Sequence, residues 1–142
     1  MEAGVNREFL RRLAGDVREA VNAVRGYVSK PYEELSEAER YAVRYHLIVL
    51  AEALASLALH VARRWLNVQP ETPAHAFNLL RDGGLISEEE RRDMVDVVRL
   101  RNLLVHRYWA VDDRRIYENA RRNFEKILKA LERVCAHVGV QV

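Results

Sequence analysis

The chain has 142 residues, a length typical of one domain and sufficient to bury an apolar core without disulfides or bound metal. Its formal net charge of +2 is too small to indicate nucleic-acid binding by itself, because such binding needs clustered positive charge. The single cysteine, Cys135, excludes an intrachain disulfide and any paired-cysteine zinc or redox motif. We therefore expect one domain over residues 1–142, in a reducing compartment.

The segment from Met1 to Arg12 carries charge and lacks a continuous apolar stretch, so we expect neither a secretory signal nor a membrane anchor. This favours a cytoplasmic protein. The 23 basic residues include only three lysines, Lys30, Lys126 and Lys129, which leaves 20 arginines. Arginine binds phosphate and carboxylate in a bidentate manner, but genome base composition or thermophily would bias the count equally well.

Apolar residues recur at helical spacing, and the sequence predicts an all-α, up-and-down bundle of about five helices. The first helix spans about Asn6 to Val28, and Pro31 prevents its continuation. Its apolar stripe consists of Leu10, Leu13, Val17, Val21 and Val24. The second helix begins at a capping box, Ser36 with Glu39, and reaches Trp65.

The middle of the second helix, residues 47–62, is apolar nearly all round. It is shorter than the roughly 20 residues of a membrane span. It also contains Glu52, Ser56 and His60, which lipid would disfavour. A central, buried helix is therefore the better interpretation, and no membrane is predicted as a partner.

Three more helices follow. Thr72 with Pro73 is typical of an N-cap and first helical position, and Gly83-Gly84 ends this short helix. A second capping box, Ser87 with Glu90, starts the fourth helix near Glu88. The fifth helix is predicted from about Asp113 to His137, with a packing stripe of Tyr117, Phe124, Ile127, Leu128, Leu131 and Val134.

Arg101 interrupts the apolar face of the fourth helix. On a helical wheel that face comprises Met94, Val97, Val98, Leu104 and Val105, with Arg101 in its middle. A guanidinium there is costly unless it is paired or used in function. Two interpretations follow: Arg101 forms a structural pair with Glu52, or it binds a phosphate, and one arginine can serve both purposes.

Asn102 and His106 are four residues apart and share a helical face that lies away from Arg101. One regular helix would therefore not pair Arg101 with His106. Three explanations are open. Either the arginine side chain curls round, or the helix ends before His106, or a second copy of the chain completes the site in a dimer. We favour the dimer.

These groups suit metal-independent cleavage of RNA. Histidine, with an ordinary pKa of about 6.5, can accept the proton of a ribose 2′-hydroxyl that attacks the adjacent phosphate. Arg101 would hold that phosphate and stabilise its added charge. Asn102 would orient His106 or a phosphate oxygen, and Tyr108 would offer a hydroxyl at the mouth of the site.

The segment Arg101-Asn102-Leu103-Leu104-Val105-His106-Arg107-Tyr108 resembles the Arg-x-x-x-x-His-x-Tyr signature of the HEPN superfamily. It is most similar to that of HepT-like toxins, which are paired with minimal nucleotidyltransferase antitoxins. The resemblance extends to Pro70–Ile86 and to Val111-Asp112, and covers at least Glu52 to Leu131.

This resemblance implies a five-helix bundle that forms a homodimer, with two motifs lining one cleft and acting as a metal-independent ribonuclease. It also implies a type II toxin–antitoxin system in which the nucleotidyltransferase silences the toxin by transferring AMP to the motif tyrosine, which corresponds to Tyr108. The catalytic residues would then be Arg101, His106 and Asn102, with Glu52 in support. No cofactor is expected.

Less specific interpretations remain open. The chain could be a non-catalytic HEPN module that binds nucleotide or RNA as the partner subunit of a nucleotidyltransferase, or a helical scaffold without ligand. The pairs Arg114-Arg115 and Arg121-Arg122 are typical of a solvated helix face, and less often of a rim that guides RNA. Trp65 and Trp109 suit packing more often than base stacking. The other histidines lack ligand spacing, so no metal site is predicted.

Overall fold

The computed structural model describes residues 4–121 and 124–142. Within these ranges the chain forms six α-helices, two short 3₁₀ turns and no strand. The helices are α1 (Arg7–Tyr27), α2 (Glu37–Arg64), α3 (Pro73–Asp82), α4 (Glu88–His106), α5 (Asp113–Ala120) and α6 (Phe124–His137). The 3₁₀ turns, Tyr32–Glu34 and Tyr108–Ala110, precede α2 and α5. The predicted all-α class is confirmed.

Helix α2 occupies the centre of the bundle, packed against α1, α3 and α4, while α6 packs on α1 and α4. This helix is long and apolar enough to cross a membrane, but half of its most apolar window is buried inside the bundle. It is therefore the core helix that the sequence predicts. The apolar stripes predicted for the first and fifth helices are buried at every position.

The helix ends follow the predicted capping chemistry. Ser36 and Ser87 each accept a hydrogen bond from a backbone N–H three residues on, and both capping boxes are complete. Thr72 caps α3 with Pro73 at its first position. Gly84 follows α3 with φ +79°, a left-handed conformation that favours glycine. These caps satisfy backbone groups that a helix end leaves without partners.

The predicted fifth helix is wrong in one respect, because it is two helices. Helix α5 ends at Ala120, where the backbone N–H of Arg121 bonds to the carbonyl of Asn119 instead of continuing the helical ladder. Helix α6 then starts at Phe124. Apolar spacing is preserved across the break, so a periodic pattern does not reveal it. Residues 122–123, including Arg122 of the second arginine pair, lie outside the described residues.

The apolar face predicted for the fourth helix is buried only in part. Met94, Val97 and Leu104 are buried, and Val98 is partly buried against the core. Val105, in contrast, is 39% exposed, although Leu104 in the same turn is buried. The apolar face that the helical wheel predicts is therefore not buried at Val105 within one chain.

The start of α1 depends on a neutral histidine. The backbone N–H of Asn6, the cap of α1, donates to Nε2 of His60 at 2.9 Å. Burial, followed by the positive charges of Arg64 and Arg63, lowers the pKa of His60 below its usual 6.5. Between pH 6.5 and that lower folded pKa, the unfolded chain binds a proton that the folded chain does not, so stability falls as the pH drops.

We therefore expect His60→Gln, which keeps an acceptor but cannot titrate, to flatten the pH dependence of the unfolding free energy between pH 7 and 5. Denaturant melts at half-unit pH steps measure this. His137→Gln, a change at an exposed histidine, is the matched control and should leave the slope unaltered. Equal slopes for the wild type and His60→Gln would contradict this role of His60.

Candidate functional site

Arg101 lies between α4 and α2 and is tied to both. Its side chain is 26% exposed, and its Nε lies 3.0 Å from Oε1 of Glu52 on α2. Its Nη1 donates to Oδ1 of Asn102 at 3.1 Å. Among the described residues, Nε is the one buried side-chain nitrogen or oxygen without an aligned hydrogen-bond partner, so its contact with Glu52 is an ion pair of imperfect geometry.

This geometry distinguishes between the explanations offered for the motif. Helix α4 includes His106 as its last residue, so the helix does not end before His106. The guanidinium of Arg101 turns toward Asn102, whose helical face includes His106. His106 itself is exposed, and no hydrogen bond joins it to Arg101. One chain thus brings Glu52, Arg101 and Asn102 together and leaves His106 at the edge of the group.

The segment after α4 presents two aromatic rings to solvent. Helix α4 closes where the N–H of Arg107 bonds to the carbonyl of Leu103 at 2.8 Å, and a 3₁₀ turn begins at Tyr108. Tyr108 is 62% exposed and Trp109 is 69% exposed, with their rings in edge contact at 5.4 Å. The packing role expected for Trp109 is therefore wrong, and its ring is available to a ligand or partner.

The ion pair of Arg44 on α2 with Asp113 on α5, which we call the clamp, fixes this turn. Arg44 Nε donates to Oδ1 of Asp113 at 2.7 Å, and its Nη1 donates to the carbonyl of Tyr108 at 3.1 Å. Arg40 adds a longer contact, 3.9 Å, to the same carboxylate. The sequence gives no signal for this clamp, because its two residues are far apart in the chain. They lie on different helices, and the spacing of apolar residues does not show which helices pack together.

One face of α2 borders the motif and remains open. Tyr41, Tyr45, Ile48 and Glu52 recur at intervals of four, three and four residues, so they share one side of the helix. The two tyrosines are exposed and Ile48 is partly buried. Because Glu52 contacts Arg101, this face is continuous with the Arg101–Tyr108 motif. An apolar patch beside a functional motif is typical of an interaction surface.

Other reactive groups do not form a second centre in the part of the chain that the structure describes. Burial raises the pKa of the Cys135 thiol to about 11, so this cysteine is a neutral core residue at physiological pH. No group of three or more His, Cys, Asp or Glu residues is arranged to hold a metal within residues 4–121 and 124–142.

Comparison with known proteins supports the features described above. A family model described as ribonuclease HepT-like matches residues 17–134, most of the chain and the whole of the motif. No curated protein matches the sequence with significance.

Solved structures share the fold. A tri-AMPylated HEPN toxin of Shewanella oneidensis, in complex with an MNT antitoxin, superimposes with a TM-score of 0.83 at 17% identity, covering 92% of this chain and 99% of that one. A mutant of the MntA–HpeT toxin–antitoxin gives 0.79 at 18% identity, covering 91% and 98%. YutE of Bacillus subtilis, a cytosolic protein of unknown function, gives 0.78 at 15% identity, covering 97% and 96%. The HEPN-like bundle is thereby confirmed.

The clamp makes a stability prediction. Removing Arg44 leaves the Asp113 carboxylate and the Tyr108 carbonyl without their donor, and hydrogen bonds to charged groups contribute roughly 1.5–3 kcal/mol. We expect Arg44→Ala to lower the unfolding free energy by about that amount and to speed hydrogen exchange at residues 107–112. Arg99→Ala removes an exposed, loosely paired arginine and should change stability by less than about 0.5 kcal/mol. Unchanged exchange in Arg44→Ala would show that the clamp does not order the turn.

Proposed function

The chain belongs to the ribonuclease HepT-like family, and on that basis we propose that it is a cytoplasmic, metal-independent endoribonuclease toxin neutralised by a nucleotidyltransferase antitoxin. The observation that carries this proposal is the environment of Arg101. A half-buried guanidinium that is held at Nε by Glu52 and at Nη1 by Asn102, beside an exposed His106, can bind an anion through its remaining N–H groups.

A homodimer would complete this site. The open face of α2 and the exposed end of α4 present apolar groups, including Tyr45 and Val105, next to Arg101. Covering them with a second copy around a two-fold axis removes apolar surface from water and brings two motifs together. The cleft would then contain two arginines and two histidines, which compensates for the separation of Arg101 from His106 within one chain.

In such a cleft the RNA phosphodiester would lie between groups of both protomers. His106 would accept the proton of the 2′-hydroxyl as that oxygen attacks phosphorus, and water would donate a proton to the departing 5′-oxygen. Arg101 would neutralise the charge that accumulates on the phosphate oxygens, and Asn102 would hold the guanidinium in place. The products are a 2′,3′-cyclic phosphate and a free 5′-hydroxyl. No step requires a metal ion.

Control by AMP transfer follows from the exposure of Tyr108. Its ring is open to solvent while its backbone carbonyl is fixed by Arg44, so the hydroxyl is presented on an ordered turn. The oxygen would attack the α-phosphorus of ATP in the antitoxin and release pyrophosphate. An attached AMP would place negative charge and bulk beside the cleft and exclude RNA. The AMPylated state of the Shewanella oneidensis toxin is consistent with this mode of control.

The dimer is tested by light scattering at micromolar concentration, which should report twice the 16.5 kDa mass of the chain. Tyr45→Glu places a charge on the open α2 face and should shift the protein toward monomer and reduce cleavage together. Val68→Glu alters an exposed apolar residue in the loop after α2 and should keep the dimer. A wild-type monomer with full activity would refute the composite cleft.

Cleavage is tested with labelled RNA in the presence of a chelator. We expect His106→Ala to lose about 10²–10⁴-fold in rate, the usual contribution of an acid–base group. Arg101→Ala, which removes the charge that stabilises the phosphate, should lose about 10²–10³-fold. Arg25→Ala and His137→Ala, which change the same residue types away from the motif, should stay near wild type. RNA with 2′-methoxy sugars should resist. Cleavage of deoxy substrates, or its loss with chelator, would exclude this chemistry, and no cleavage at all would favour the non-catalytic partner subunit.

Regulation is tested by incubating the protein with a nucleotidyltransferase antitoxin, ATP and magnesium, followed by peptide mass spectrometry. The adduct should be on Tyr108, and Tyr108→Phe should keep substantial cleavage while escaping inhibition. Tyr45→Phe is the control for an exposed tyrosine and should not escape. Tyr117 is buried and its hydroxyl donates to the Lys30 carbonyl at 2.6 Å, so it should remain unmodified. An adduct at Tyr117, or at Tyr45 alone, would overturn the assignment.

A further inference from the structure

One cavity of the molecule contains no residue of the Arg101–Tyr108 motif. It has a volume of about 600 Å³ and is formed by the linker between α1 and α2 together with α5. Its position follows from the clamp: Asp113, the first residue of α5, is held by Arg44 next to the Tyr108 turn, and Arg114 immediately follows and lines the cavity. The cavity therefore starts one residue along α5 from Asp113 of the clamp.

Two arginines and two tyrosines dominate this cavity. The Arg114 guanidinium lies over the Tyr32 ring at 4.6 Å, and the Arg121 guanidinium lies 5.6 Å from the Tyr117 ring centre. The two rings meet edge to face at 5.5 Å, and the Tyr117 hydroxyl is anchored to the α1–α2 linker. Each guanidinium thus lies within cation–π distance of a ring, and its remaining N–H groups can bind a phosphate.

Arg121 is the cation of this cavity that is open to an anion. The charged lining residues are Lys30, Arg114, Arg121, Glu33 and Glu118. Lys30 is engaged with Glu39, and Arg114 with the exposed Glu33. No salt bridge joins Arg121 to a carboxylate among the described residues; its polar contact there is with the Tyr117 hydroxyl at 3.3 Å. A phosphate could therefore bind Arg121 directly and displace Glu33 from Arg114.

We propose that this cavity is a subsite for RNA flanking the cleavage position, in which Arg114 and Arg121 bind backbone phosphate and the pair of Arg114 with Tyr32 supports a base. The inference rests on the proposed ribonuclease function and extends it, because it assigns the substrate a path from the motif along α5. Arginine and aromatic side chains lining one groove are the usual means of binding single-stranded RNA without strong sequence selection. Neither arginine is catalytic in this proposal.

The test uses the His106→Ala protein and a labelled 2′-methoxy RNA, so that binding is measured without cleavage. Arg114→Ala and Arg121→Ala should each weaken binding several-fold, and each should reduce the salt dependence by the equivalent of about one phosphate contact. Arg25→Ala and Arg92→Ala remove the same charge from exposed ion pairs elsewhere and should have little effect. Glu33→Gln, which removes the competing carboxylate, should tighten binding, an outcome that loss of structure would not produce.

In the cleavage-competent protein, the two cavity variants should raise KM with little change in kcat. Equal weakening by the control variants, or weaker binding in Glu33→Gln, would overturn the subsite. Displacement of RNA by millimolar free AMP would also overturn it, in favour of a mononucleotide site. If RNA binds and the cavity variants bind it as tightly as the parent protein does, the subsite is wrong and the proposed ribonuclease function is unaffected. If the His106→Ala protein binds no RNA, the proposed ribonuclease function fails with it.

Discussion

The contact between Arg101 and Glu52 is the constraint around which the site is organised. A guanidinium inside an apolar helix face loses hydration, and it is tolerated because Glu52 lies 3.0 Å from its Nε and Asn102 accepts from its Nη1. Glu52 interrupts the apolar middle of α2, and Arg101 interrupts the apolar face of α4. These two charged side chains contact each other. Their pairing joins the motif on α4 to α2 and sets it beside the open face of α2.

Most of the fold follows from local rules that the sequence states directly. Capping boxes at Ser36 and Ser87 and the Thr72-Pro73 start mark where α2, α4 and α3 begin, because they satisfy backbone donors within a few residues. The break between α5 and α6 was not predictable in the same way. Apolar spacing continues through it, whereas the direction of each helix depends on which distant elements it packs against.

The site was predictable where chemistry interrupts a pattern, and not where it depends on tertiary placement. Arg101 stands out because it breaks an apolar stripe, and Glu52 stands out for the same reason on α2. Arg44 does not, because an arginine near the start of an amphipathic segment is unremarkable until its contacts with Asp113 and Tyr108 are known. The exposure of Val105 and Trp109 likewise depends on how the end of α4 and the turn after it are placed on the bundle. That the site is completed by a second copy is a proposal, drawn from surfaces that one chain leaves uncovered.

RNA cleavage by mixed dimers tests the composite cleft most directly. Arg101→Ala and His106→Ala proteins should each be nearly inactive, but after subunit exchange a mixed dimer combines an intact Arg101 from one protomer with an intact His106 from the other. Random exchange makes half of the dimers mixed and restores one of two catalytic pairs in each, so about a quarter of wild-type activity should return. Native mass spectrometry, with one protein carrying a tag, verifies the exchange. Mixed dimers that form but remain as inactive as their parents would contradict the account.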